Sequence, residues 1–196
     1  MKNAIVLAGS RGIGKGIANS LETLDINIIT TSTKELDTSD LDSVDKFINN
    51  NPVTDILVLN TGGPPPHKYH NQLFYSFLKI IQEIKINDGG YIFLISSYNV
   101  KEPDSNLMLS NAYRTAFISV LKCLSKTLAE NNITTINIAP GPIDTDRIRG
   151  LCKDIPSLEQ RLPIGRLGQV KEIGDFVKFL TGVTINFDGG KSNFIF

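Results

Sequence analysis

Ala4-Ile5-Val6-Leu7-Ala8-Gly9-Ser10-Arg11-Gly12-Ile13-Gly14 decides the fold. An apolar run ends in a glycine turn, and Ile17, Ala18 and Leu21 follow at helical spacing. Strand, turn and helix in this order aim free backbone N–H groups and a helix N-terminus at an anion such as a diphosphate. Gly12 and Gly14 let the main chain approach a ligand and let the helix pack tightly on the strand. A glycine turn after a first strand also serves packing alone, so the rest of the chain has to decide between the two.

Outward from that unit, strands alternate with helices. Ile26 to Thr31 reads as a second strand, and Leu41, Val44, Phe47 and Ile48 mark the buried face of a helix capped by Ser39. Asp55 to Leu59 and Tyr91 to Ile95 are continuous apolar runs, the pattern of parallel strands covered on both faces. Between them Leu73, Phe74, Phe77, Leu78, Ile81 and Ile84 define a helix, and Leu109 to Leu124 carries a longer one through Ala112, Tyr113, Phe117 and Leu121. Ile133 to Ala139, a helix around Ile173, Phe176, Val177 and Leu180, and Val183 to Phe187 complete the series. The alternation predicts an α/β fold: one doubly wound parallel sheet, Rossmann-like, formed by residues 1–196 as a single domain.

One connection is too short for the usual version of that sheet. Only about four residues separate the second strand from Glu35-Leu36-Asp37, whereas a parallel crossover needs about a dozen. The sheet is therefore expected to lack a third strand and the helix before it, with Lys34 to Asp37 crossing the carboxyl edge as a loop. Pro64-Pro65-Pro66 then fixes an extended linker. His67 and His70 lie close in sequence, but without a third ligand or a carboxylate pattern they read as loop residues, and no metal site is expected.

Composition narrows the function. The 196 residues are 41% hydrophobic, with 20 Lys and Arg against 20 Asp and Glu, so a substantial core is available and no basic stripe suggests nucleic acid. Apolar runs are too short to span a membrane, and Met1-Lys2 leads into a core strand without a signal region. Cys123 and Cys152 stand apart and read as reduced thiols, which points to the cytoplasm.

Six segments recur in order along nearly the whole chain: Gly9 to Gly14; Asp55-Ile56-Leu57-Val58-Leu59-Asn60-Thr61-Gly62; Ile95-Ser96-Ser97; Ile138-Ala139-Pro140-Gly141-Pro142-Ile143-Asp144-Thr145; Pro163-Ile164-Gly165-Arg166-Leu167-Gly168; and Gly182 to Gly190. With them the sequence resembles the short-chain dehydrogenase/reductase family, and more narrowly its β-ketoacyl-(acyl-carrier-protein) reductase-like members. The resemblance implies NADP(H)-linked interconversion of a carbonyl and a hydroxyl group on a small molecule, in some members thioester-bound. It implies nucleotide contacts at Gly9, Ser10, Arg11, Gly12, Ile13, Gly14, Ser32, Asp37, Thr38, Asn60, Thr61, Gly62, Arg114, Pro140, Gly141, Ile143 and Thr145. It also implies a homodimer or homotetramer through Tyr75 to Ile86 and Leu107 to Glu130, and a substrate-covering segment over about 144–168. NADP is favoured over NAD because Thr31-Ser32-Thr33-Lys34 offers hydroxyls and a cation where NAD sites carry an acid, with Arg11 in the turn.

The catalytic set departs from the family. Ser97 matches the serine that orients the substrate carbonyl, and Asn71 falls where the family has its catalytic asparagine. Thirteen residues after Ser97, where the family has its proton-donating tyrosine, stands Ser110; four further, in place of the lysine, stands Arg114. An aliphatic hydroxyl is a far weaker acid than a phenol and shorter by a ring, whereas Arg114 keeps its charge and a rigid fork of donors. Tyr98 is the candidate substitute acid, with an ordinary loop residue as the competing reading; Tyr113 fits the apolar stripe of its helix. Ala8 replaces the first family glycine and adds a methyl near the diphosphate. Two readings follow: an oxidoreductase with an atypical site, or a dinucleotide-binding or assembly subunit without turnover.

Overall fold

The computed structural model describes residues 1–61 and 71–182, leaving out the side chains of residues 71–73. Five strands form one parallel sheet: β1 (Lys2–Val6), β2 (Ile26–Thr30), β3 (Val53–Leu59), β4 (Lys85–Ile95) and β5 (Thr134–Ile138), in the order β2-β1-β3-β4-β5. β2 is an edge, and residues 31–40 form turns leading directly into α2 (Leu41–Asn50). The third strand and its helix are therefore absent, as the short spacing requires. Val183 to Phe187, expected as a further strand, lies outside the described residues.

Helices cover both faces. α1 (Gly12–Leu21) and α7 (Val170–Gly182) lie on one; α2, α3 (Asn71–Glu83) and α4 (Met108–Leu128) lie on the other. Because side chains alternate along a strand, β1 sends Ala4 and Val6 to the α1/α7 face and Ile5 and Leu7 to the opposite core. β3 divides in the same way: Ile56 and Val58 meet Ile17, Leu21 and Val177, whereas Leu57 and Leu59 meet Phe47, Phe77 and Phe117. All of these are buried, each contributing about 1.5–3 kcal/mol for a Val, Leu, Ile or Phe side chain. This two-sided burial is why the strands read as unbroken apolar runs.

Local detail corrects the expected ends. Asp40, not Ser39, caps α2: its carboxylate accepts from the Asp42 N–H, while Ser39 turns its own N–H and hydroxyl to Asp37. An acceptor in the residue just before the first helical turn satisfies an orphan donor, and Asp40 holds that place. β4 starts six residues earlier than its apolar run, because Lys85 and Ile86 pair with Val53 and Thr54 before the register shifts. Asp55 ties three strands together, its carboxylate accepting from the Asn3 N–H at 2.7 Å and from Asn87 Nδ2 at 2.9 Å.

Glycines set the helix contacts. A methyl on Gly16 would lie 2.5 Å from the Val170 carbonyl oxygen, and one on Gly174 would meet the Gly16 carbonyl. α1 and α7 thus touch backbone to backbone, which seats the N-terminus of α1 at the carboxyl edge of β1.

Candidate active and nucleotide site

Every parallel strand ends at one edge of the sheet, and two adjoining cavities open there, where doubly wound folds bind ligands. The larger, about 610 Å³, is lined by Ser10, Arg11, Gly12 and Ile13 of the glycine turn, by Thr31, Ser32, Thr33, Leu36 and Thr38 of the shortened connection, and by Asn60, Thr61, Thr145, Asp146 and Arg147. Gly12 adopts φ +55°, a left-handed value that a side chain would strain, and it faces Thr145 across the cleft. Gly14 supports the turn from below: a methyl there would strike the Ala8 carbonyl and lie 2.7 Å from Asn60 Nδ2. Ala8 itself sits at φ +48°, held by a hydrogen bond from its N–H to Thr31 Oγ1 at 3.0 Å.

A dinucleotide needs an open trough, unfilled space above the turn and donors at a helix start. These residues supply all three: Gly12 leaves its side of the cleft bare, and α1 begins at the turn with no acidic residue in its first turn. The donor set fits the group.

The polar residues of the second edge are already engaged with each other. Glu35 accepts from the Ser32 N–H at 2.8 Å and from its hydroxyl at 2.5 Å, and the Ser32 hydroxyl and backbone bonds hold the Glu35 carboxyl below the usual glutamate range. Lys34 and Arg11 are legible in the sequence as the cations of this edge, and the Ser-x-x-Glu spacing of Ser32 and Glu35 is the signal for the carboxylate that joins them. Asp37 accepts from Ser39 and does not line the cleft, whereas its neighbour Thr38 does. Pro140, Gly141 and Ile143 also lie off the cleft wall: the Pro140 carbonyl accepts from the Tyr98 N–H, and Ile143 bridges to Gly168. Gly62 and the side chain of Asn71 lie outside the described residues.

The smaller cavity, about 40 Å³, lies beside Ser110 and Arg114, one helical turn apart on α4. Phe74, Phe77, Tyr113 and Phe117 wall its apolar side, and Ser96 and Thr61 its polar side. Arg114 Nε donates to Ser110 Oγ at 3.3 Å, and Nη1 donates to the carbonyls of Ile95 at 3.1 Å and Ser96 at 2.9 Å. The guanidinium thus caps the end of β4. Burial, and after it the positive charge of Arg147, hold Arg114 below the usual arginine range.

Ser97 follows directly. Its hydroxyl accepts from the Asn99 N–H at 3.2 Å, capping a short 3-10 turn over Tyr98–Val100, and Tyr98 is 43% exposed. Two buried acceptors, Asn99 Oδ1 and Asn111 Oδ1, have no donor among the described residues. The aromatic-walled cavity and these asparagines were missed from sequence, because each depends on which residues of distant segments meet; Arg147 was legible only as part of the basic stretch 146–168, not as a residue of the cleft. Among the described residues no cluster of His, Cys, Asp or Glu is arranged to hold a metal, and no helix is long and apolar enough to cross a membrane.

Comparison with known proteins agrees with this architecture. The sequence family described as Enoyl-(Acyl carrier protein) reductase matches residues 67–191, more than half of the chain. Carbonyl reductase family member 4 of Xenopus tropicalis is 29% identical, over 95% of this chain and 82% of its own. The 3-oxoacyl-(acyl-carrier-protein) reductase FabG of Buchnera aphidicola subsp. Baizongia pistaciae is 26% identical, over 96% of both. The crystal structure of BdcA in complex with NADPH superposes with a TM-score of 0.80 at 26% identity, covering 93% of this chain and 87% of that one. A family match of this extent, on a parallel sheet with its cleft at the carboxyl edge, means that the chain belongs to the short-chain dehydrogenase/reductase family.

Proposed function

We propose that the protein is an NADP(H)-linked oxidoreductase that interconverts a carbonyl and a hydroxyl group on a small molecule through a non-standard catalytic set. The observation that carries this reading is the 610 Å³ cleft formed by the glycine turn, Asn60, Thr61 and Thr145, adjoining the cavity at Ser110 and Arg114. Structural similarity to an NADPH complex supports the choice of nucleotide. Ser10, Arg11 and the start of α1 would hold the diphosphate, and Ser32 and Thr33 with Arg11 the 2′-phosphate once Ser32 is released from Glu35.

When bound, the nicotinamide supplies or accepts the hydride. Ser97 donates a hydrogen bond to the substrate oxygen, and Arg114 steadies the negative charge that develops there as reduction proceeds. The proton comes through Ser110 Oγ and a water in the adjoining cavity, whose volume exceeds the roughly 10–15 Å³ that one water requires. Tyr98, which follows Ser97 in sequence, is the other candidate donor. Asn71, the first residue of α3, would fill the family's asparagine place. Helices α3 and α4 present Tyr75, Met108 and Leu109 to solvent, a surface suited to a homodimer or homotetramer.

A second reading is a nucleotide-binding or assembly subunit without turnover. It is favoured by one observation: Arg114 already commits Nε and Nη1 to Ser110, Ile95 and Ser96. Stopped-flow NADPH oxidation across ketones, diketones and β-ketoacyl thioesters separates the two. Turnover that falls about 100-fold or more in Ser97→Ala, the scale of losing one oxyanion donor, supports the enzyme; NADPH binding without turnover on any of them supports the subunit.

A further inference from the structure

We propose that Arg114 and Arg147 together receive a carboxylate carried by the substrate, so that the protein selects an oxo acid over a neutral ketone or ester. This deepens the function proposed above and rests on it.

The case begins with an uncompensated cation. Arg114 is partly buried, and its three protein acceptors are all neutral: two backbone carbonyls and a hydroxyl. No carboxylate pairs with it among the described residues, and Nη2 has no acceptor there. A guanidinium withdrawn from water without a counter-ion is costly, and such charges mark sites that await an anion.

The space beside it suits one. The 40 Å³ cavity takes about three water-sized groups, so the two oxygens of a carboxylate fit and one place remains for the water that relays the proton. Phe74, Phe77 and Phe117 exclude water from its far wall, which strengthens attraction between charges inside. Thr61 lines both cavities, so an anion in the smaller one lies next to the nucleotide cleft, where Arg147 stands. With Nε and Nη1 engaged, Nη2 offers a charge-assisted hydrogen bond to a carboxylate oxygen. Asp146 also lines the cleft, and the proposal needs the Arg147 charge only at the mouth.

The test uses the full chain and acetoacetate as the probe, with methyl acetoacetate as its neutral counterpart. Both are titrated calorimetrically with and without saturating NADPH, while NADPH binding is followed separately by fluorescence. Acetoacetate is expected to bind at least about tenfold more tightly than the ester, a margin of about 1.4 kcal/mol that shrinks with added salt. Arg147→Gln, read at saturating NADPH so that any change in nucleotide affinity does not enter, should remove most of that ratio, and Arg114→Lys should keep part of it. Arg114→Gln should abolish the preference; should it fail to fold, Arg147→Gln decides alone. Equal binding of acid and ester overturns the inference, and so does an Arg147→Gln variant that loses NADPH while keeping the ratio. NADPH binding without acid preference leaves the oxidoreductase standing; acid preference without NADPH binding removes the oxidoreductase and leaves the anion site.

Discussion

Gly14→Ala tests whether the glycine turn is held from beneath by close contact. The added methyl would strike the Ala8 carbonyl oxygen and lie 2.7 Å from Asn60 Nδ2, well inside the 3.5–4.0 Å at which carbon contacts are favourable. Neither neighbour yields freely: Ala8 is fixed at φ +48° by Thr31, and Asn60 is buried. Overpacking of this kind costs about 1–3 kcal/mol, and alanine returns up to about 1 kcal/mol in helix propensity. The net loss is centred on about 1–2 kcal/mol within limits of about 0–3, and the central range is a fall in Tm of about 2–8 °C for a domain of this size. Because the shift moves Ala8 and Asn60 under the cleft, NADPH affinity should fall about tenfold as well. Gly150→Ala is the control, since Gly150 ends α5 (Asp146–Leu151) and a methyl there meets nothing within 4 Å; it should be neutral or stabilise by up to about 1 kcal/mol. Urea denaturation at constant m and an NADPH fluorescence titration read both quantities. A Gly14→Ala protein as stable as the parent would refute the packing argument.

Three further outcomes are expected. Glu35→Gln should tighten NADPH binding severalfold relative to NADH, because it removes a carboxylate that holds the Ser32 hydroxyl; an unchanged ratio in parallel titrations would show that Ser32 does not meet the 2′-phosphate. Asp55 has a depressed pKa: burial opposes its charge, but the Asn3 N–H, the Asn87 amide and Lys2 outweigh it. Its folded value lies below its unfolded one, so its contribution is present above the unfolded pKa and disappears as pH falls through the folded one; Asp55→Asn should lose about 1–2 kcal/mol at neutral pH, converging with the parent at acid pH in denaturation curves. Asp40→Ala should cost about 1 kcal/mol by removing the α2 cap, and Ser39→Ala should cost less; the reverse order in thermal melts would put the cap at Ser39.

Much of the scaffold was written in one-dimensional signals. The runs Asp55–Leu59 and Tyr91–Ile95 announced strands covered on both faces, and the few residues between Thr30 and Leu36 excluded a crossover whatever lay elsewhere. Spacing alone also put Ser110 and Arg114 on one face of α4, where they meet. What escaped depends on partners far apart in sequence. That Arg114 caps carbonyls at the end of β4 follows from where β4 stops relative to α4, and that Phe74, Phe77 and Phe117 enclose a cavity follows from the packing of α3 on α4. The cap at Asp40 was missed for a smaller reason: Ser39, Asp40 and Asp42 all have capping side chains, and only backbone conformation chooses among them.

On the proposed reading, in which Ser110 and Arg114 stand in the places of the family's catalytic pair, the two replacements act as one structural change rather than two. Ser110 Oγ lies 3.3 Å from Arg114 Nε, so the short side chain at 110 stands directly against the guanidinium and leaves no place there for a ring. Arginine, in turn, reaches the carbonyls of Ile95, the last residue of β4, and of Ser96 just beyond it through Nη1 while Nε reaches Ser110, a division of donors over separate nitrogens that an ammonium does not have. The result is a fixed positive charge with a neighbouring cavity and no strong acid attached to it. Such a site can bind and polarise an oxyanion, but it has to obtain its proton from solvent or from a separate side chain. On the proposed reading, proton delivery, more than hydride geometry, is the step on which activity turns, and the cavity beside Ser110 has room for the water that would carry it.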